Sequence, residues 1–225
     1  MNANPVLRLA LALILGMPWL AFAATDYSVA EQAIFMDDHL GKLRPPLTLH
    51  YVFRKTGTLE EPFDDKVDLL LTAEPDGKCC AVRAEFFSGA RAVQQPEVES
   101  ARGNPAILYF LERDIREMQR LTKGQPSYFR KRIRMAVYQG ATVRNVNLPY
   151  LGQPVAVREI SVSPYLDDPN RPRFGKLANK SYVFLLSDAV PGGLYGIRTR
   201  VDAQSAEAAP LMVEEMLLEG AGRQP

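Results

Sequence analysis

Leu47-Thr48-Leu49-His50-Tyr51-Val52-Phe53-Arg54 reads with a period of two: Leu47, Leu49, Tyr51 and Phe53 fall at one parity, Thr48, His50 and Arg54 at the other. Successive side chains of an extended chain point to opposite faces, so the stretch predicts a strand with one face in a core and one toward water. Two more strands are expected over 66–73 and 79–87. In the later one Cys80, Val82, Ala84 and Phe86 share a face, with Cys79, Arg83 and Glu85 opposite. Pro75-Asp76-Gly77-Lys78 between them predicts a tight hairpin, because Asp-Gly accepts the positive φ such a turn needs.

The period then changes to that of a helix. Asn104 stands at an N-cap and Pro105 at the first helical position, and Ile107, Leu108, Leu111, Ile115 and Met118 form one apolar stripe. Glu112–Arg116 and Arg113–Glu117 have i,i+4 spacing and are expected as pairs on the solvent face. A second helix is predicted over 126–139, with Phe129, Ile133, Ala136 and Val137 inward and Gly140 as its stop. Upstream of the strands, Ser28 with Glu31 three residues on reads as a capping box and predicts a helix over 28–40. Pro45-Pro46, which no helix crosses, separates it from the first strand.

Beyond Gly140 the chain is β-rich, with strands expected near 141–148, 154–163, 180–187, 194–202 and 211–219; the last also fits a helix. Val155 and Val157 share a parity that Ile160 and Val162 do not, and a β-bulge at Arg158-Glu159 would bring both pairs to one face. Pro191-Gly192-Gly193 is a turn. Sequential strands joined by short turns make an antiparallel sheet, and the helices are the cover for its apolar face. The expected fold is α+β: a curved antiparallel sheet, a half-barrel, wrapped around helices.

Residues 1–23 have the parts of a secretory signal. Arg8 precedes the apolar run from Leu9 to Leu15, Gly16 and Pro18 break a helix, and Ala21 and Ala23 supply the small residues of a cleavage site. The run stops well short of the ~20 apolar residues that cross a bilayer, and no later stretch is long and apolar enough either. The expectations are cleavage after Ala23, a periplasmic location and one soluble domain over 24–225. Of the 27 basic residues only Arg8 leaves with the signal, so 26 face 26 acidic ones. That balance argues against nucleic acid as the main partner, since phosphate neutralisation needs a basic excess. With 47% of residues apolar, a sizeable core can form.

Helix, three strands, two helices and five strands behind a signal segment resemble the periplasmic half-barrel class typified by the lipoprotein carriers of outer-membrane sorting. The resemblance is one of element order and covers most of the chain. It implies a sheet curled around helices, with an apolar cavity for acyl chains. Gly103-Asn104-Pro105-Ala106-Ile107-Leu108-Tyr109-Phe110-Leu111-Glu112-Arg113-Asp114 also resembles a segment of exported proteobacterial proteins, which brings no activity with it.

No catalytic set emerges from the residues. His39 and His50 are the two histidines, and neither has a partner at a metal-ligand spacing. Ser88 and Ser187 lack the Gly-x-Ser-x-Gly elbow. Glu60-Glu61, Asp64-Asp65, Asp167-Asp168 and Glu214-Glu215 are adjacent carboxylates, which on a strand point to opposite faces and cannot form a two-carboxylate site. Asp167-Asp168-Pro169-Asn170 reads as a solvated turn. No catalytic residue, metal or cofactor is expected.

Two features stand apart. Arg130, Lys131, Arg132 and Arg134, beside Tyr128 and Phe129, form a basic cluster that reads either as a patch for an anionic partner or as the solvated face of a helix. Cys79-Cys80 would usually pair in an oxidising compartment, yet neighbours on a regular strand diverge. A structural or strained disulfide, two free thiols and a soft-metal or redox pair are the readings it allows.

The leading expectation is a non-enzymatic periplasmic binding or accessory protein holding a lipid or other apolar ligand between sheet and helices. The alternatives are a structural or interaction module of an envelope complex, docking a protein partner through a sheet edge or the basic helix face, and a hydrolase of unfamiliar type.

Overall fold

The computed structural model describes residues 27–74, 79–203, 205 and 208–222. The expected signal segment with its cleavage site, and the Pro75–Lys78 turn, lie outside them. The described residues form eight strands: β1 (Leu47–Gly57), β2 (Phe63–Ala73), β3 (Cys79–Phe86), β4 (Thr142–Tyr150), β5 (Gln153–Val162), β6 (Lys180–Leu186), β7 (Leu194–Val201) and β8 (Met212–Leu218). All pair antiparallel in one open sheet of order β3-β2-β1-β8-β7-β6-β5-β4. Two meanders, β1–β3 and β4–β8, are thus joined where the last strand meets the first, with Tyr51 opposite Leu218 and Phe53 opposite Met216. The segment that also fitted a helix is β8, paired on both sides.

Among the described residues four helices complete a mixed α+β fold: α1 (Val29–Glu31), α2 (Pro105–Thr122), α3 (Pro126–Gly140) and α4 (Arg171–Phe174). The capping box is present at α1, where Ser28 Oγ accepts from the Glu31 N–H and the Glu31 carboxylate accepts from the Ser28 N–H. The helix expected over 28–40 is shorter than its periodicity: α1 runs into a π-helical turn, Gln32–Met36, and ends as Asp37 donates to the Gln32 carbonyl. Asn104 caps α2, its Oδ1 accepting from the Ala106 N–H. In α3, Phe129, Ile133 and Val137 are buried as the stripe requires.

β1 keeps the expected alternation, with Leu49, Tyr51 and Phe53 buried between exposed His50 and Val52. β5 corrects an expectation. Its register with β4 and with β6 runs unbroken, so there is no bulge at Arg158-Glu159. Val157 and Ile160 are both buried although they lie on opposite faces. The tip of the β4–β5 hairpin reaches the end of β8, where Tyr150 bridges Ala221 and the Leu151 N–H donates to the Gly220 carbonyl. The irregularity of this half of the sheet sits instead between β6 and β7, at Leu185/Leu186.

The two sheet edges differ. β3 is flanked by the loop that follows it, through bridges Val82–Val98 and Phe86–Val93. β4, among the described residues, pairs along its length only with β5.

Candidate functional site

α2 lies on the sheet face that bears Phe53, Phe184, Ile197 and Met216, and its expected stripe is buried at Ile107, Leu111, Ile115 and Met118, with two departures. Leu108 is 56% exposed, whereas Arg113 is 7% exposed with its guanidinium 4.9 Å from the Phe53 ring centroid. Arg113 and Asp114 therefore face the sheet, which corrects the placement of Arg113–Glu117 on the solvent face. Glu112 accepts two hydrogen bonds from Arg130 of α3, each 2.6 Å, and the Arg116 charge adds a weaker attraction.

The strands meet α2 with charges of their own. Lys55 in β1, Lys180 in β6 and Glu214 in β8 all have the inward parity of their strands and are buried. Arg113 donates to Glu214 Oε1 at 2.7 Å, Lys55 Nζ lies 3.6 Å from the same oxygen, and Lys180 Nζ lies 3.6 Å from Oε2. Lys180 also donates to Asp114 Oδ1, and the Tyr182 hydroxyl donates to Asp114 Oδ2 at 2.6 Å. Thr199 completes the shell by donating to Glu214. From Arg113 the alternation runs outward through Glu117 and Arg120 to Glu60. Four cations and four carboxylates are strung from core to surface.

A charge in the interior persists only when it is paired and hydrogen-bonded, and here the partners decide the titration. Burial alone pushes the Glu214 carboxyl up; Lys180, Arg113 and Lys55 overturn that and hold it at about 2. Burial, reinforced by the Asp114 charge, pushes the Tyr182 phenol well above its ordinary value. Each ionised group is locked to another, so this cluster acts as structural cement.

The apolar space lies on the other side of α2. A groove of about 360 Å³ runs between the first turns of the described chain, α2 and α3, and Phe35, Met36, Leu108, Leu111, Ile115 and Ile133 supply its apolar lining. Glu31, Glu112, Arg130 and Arg134 stand around it. Exposed Leu108 and Met36 belong to this lining.

A second, polar cleft of about 420 Å³ gathers His39, Ser187, Asp37, Asp38, Asp188 and Arg158. The composition suggests acid–base chemistry, but the bonding does not. The ring of His39 accepts from the Asn104 N–H at Nδ1 (3.1 Å), so its proton sits on Nε2 and is donated to the Ala33 carbonyl (2.9 Å). The Ser187 hydroxyl donates to the Ala156 carbonyl. A nucleophile needs a base in hydrogen-bond reach, and these two residues are each committed to backbone.

The other residues singled out by sequence are dispersed. His50 pairs with Asp68 at 2.8 Å across β1 and β2. Cys79 and Cys80 form a vicinal disulfide at the start of β3, with Cys80 fully buried. The basic cluster is divided around its helix: Arg130 is held by Glu112, while Arg132 donates to the Pro164 carbonyl and lies 2.7 Å from Asp168, close enough for an ion pair but out of line for a hydrogen bond. Lys131 and Arg134 remain exposed. Asp168 is not in a solvated turn. It is buried, accepting from the Tyr128 hydroxyl and the Asn170 N–H.

Sequence reasoning missed the buried ion cluster, although parity carried a signal. Lys55 continues the Leu49-Tyr51-Phe53 face, Lys180 shares the face of Tyr182 and Phe184, and Glu214 that of Met212 and Met216. Three strands each placing one charge on an apolar face predict that the charges meet. No protein-family model matches the chain, and no curated protein is significantly similar to it.

Proposed function

We propose that this is a non-enzymatic binding protein of the periplasm, exported by the 1–23 signal, that holds the acyl chain of a lipid or similar amphiphile in the groove between α1, α2 and α3. The observation that carries the reading is the groove itself: apolar side chains from three helical elements converge on a site that leaves Leu108 and Met36 wet. Ligand sites are concave and mostly apolar, with a few polar groups at the rim. Arg134 is the exposed rim cation, suited to a carboxylate or phosphate head. The half-barrel resemblance supports the ligand class but puts the chain between sheet and helices; side chains such as Phe53, Phe110, Phe184 and Met216 are buried there together with the ion cluster, so the acyl chain is assigned to the far side of α2.

A dansyl-labelled fatty acid titrated into the purified protein tests this. Saturable one-to-one binding should be lost in Leu108→Asp and weakened in Arg134→Glu, with both variants folded. Binding indifferent to Leu108→Asp would refute the assignment of the groove.

A second reading, an interaction module of an envelope complex, is favoured by one observation: among the described residues the edge of β4 is unpaired from Thr142 to Leu148, short of the end that meets Ala221 and Gly222. An exposed edge offers unpaired backbone groups to an added strand. Proline at Asn145 and Asn147 would abolish such an association and leave fatty-acid binding intact.

A further inference from the structure

We propose that His39 is an acid-sensitive latch on the groove: protonation of its Nδ1 releases the Gln32–Met36 turn and discharges the bound apolar chain. The inference rests on the groove reading and adds its regulation. Its basis is the position of one ring between the Ala33 carbonyl of the turn and the N–H of Asn104, the residue that caps α2.

The wall is the π-helical turn. Ala33 faces the polar cleft, and Phe35 and Met36 line the apolar groove. A turn with i→i+5 bonds is a poorly propagating structure and needs outside support. His39 supplies it: Nε2–H donates to the Ala33 carbonyl, while Nδ1 accepts from the N–H of Asn104. Asn104 is itself immobile. It caps α2, donates Nδ2 to the Tyr51 hydroxyl and to the Gly192 carbonyl, each at 2.8 Å, and is 3% exposed. The neutral imidazole thus ties a weak turn to a rigid post.

Only the neutral ring can do this. A protonated imidazole has two donors and no acceptor, so Nδ1–H would confront the Asn104 N–H at 3.1 Å. The ring cannot turn aside freely, because it packs on Gly193, where a Cβ would come within 3.0 Å of it. The charged ring does have somewhere to go. Asp37 and Asp38 on its own segment and Asp188 from the β6–β7 turn line the cleft beside it, together with Arg158 of β5. Arg158, Arg102 and Lys42 in turn stand 3.9 Å from Asp37, 3.6 Å from Asp38 and 3.8 Å from Asp188. Three carboxylates facing the cleft favour a cation there once the bond to Asn104 has broken. Leu40, whose N–H donates to the Arg102 carbonyl at 3.0 Å, keeps the segment docked, so the release is confined to the turn. Histidine is the side chain whose ordinary charge change falls between about pH 5 and 8.

The test uses N-phenylnaphthylamine, a dye without a titrating head in this range, with the purified protein at pH 7.5 and pH 5. Wild-type affinity should fall about tenfold at the lower pH, the effect of losing one hydrogen bond, and amide protection at Asn104 and Asp37 should fall with it. His39→Gln, which keeps a donor and an acceptor but does not titrate, should show neither change. His50→Gln leaves His39 as the sole histidine and should keep the full response, which holds the test open even if His39→Gln folds poorly. Parallel loss of affinity in wild type and His39→Gln, or a response that vanishes in His50→Gln, would overturn the latch. Failure of the dye to bind at pH 7.5 would overturn the groove reading and discharge with it, while unchanged Asn104 protection would overturn the latch alone.

Discussion

Arg113 of α2 donates a 2.7 Å hydrogen bond to Glu214 of β8, across 101 positions of sequence and inside the core. The bond fixes which side of the helix meets the sheet. Leu108, apolar, is left outside, and Arg113, charged, is taken in. Arg113 also stacks over Phe53 and sits near Phe87, whose ring faces favour a cation.

Arg113→Ala is expected to destabilise the protein by about 3–5 kcal/mol, because it leaves Glu214 with two more distant lysines and no close donor but Thr199. Leu108→Asp, on the exposed side, is expected to cost no more than about 0.5 kcal/mol. Urea unfolding followed by circular dichroism compares the two. The opposite ranking would mean that α2 is turned the other way.

Glu214 makes stability depend on acid. Its folded pKa of about 2 lies below the ordinary carboxylate value of 4.5, so ionised Glu214 favours the folded state. That contribution is complete above pH 4.5 and is lost as pH falls from there toward 2. Melting temperatures across this window should drop more steeply in wild type than in Glu214→Gln, which has no such proton to take up.

Asn104→Ala removes an N-cap acceptor and strands the Tyr51 hydroxyl and the Gly192 carbonyl that its Nδ2 reaches. A cap alone is worth about 1 kcal/mol and each buried group left unpaired adds to it, so a loss of about 2–4 kcal/mol is expected by urea unfolding.

The bridge between Cys79 and Cys80 closes the shortest of loops and so removes little freedom from the unfolded chain. Reductant should leave the melting temperature within a few degrees, on the order of 1 kcal/mol or less. A larger fall would assign the bridge a role in holding β3, where Cys80 is fully buried.

Local periodicity determined the order of the eight strands and of α1 to α3, though not α4, together with the parity of β1 and β3, the caps of α1 and α2 and the buried face of α3, since each depends on residues within one or two turns of one another. It also placed Lys55, Lys180 and Glu214 at inward parities. Tertiary structure alone decided what those charges meet. The β1–β8 pairing brings Lys55 beside Glu214, and the neighbouring strands bring Lys180 to Asp114. Amphipathic spacing marks a helix stripe but does not say which neighbour covers it. Once three strands had set buried charges on the sheet face, burying them unpaired would have cost far more than leaving Leu108 wet, so α2 turned its own charges to them. In β5 too the parity was legible, but only the tertiary structure buried residues of both faces, Val157 on one and Ile160 on the other.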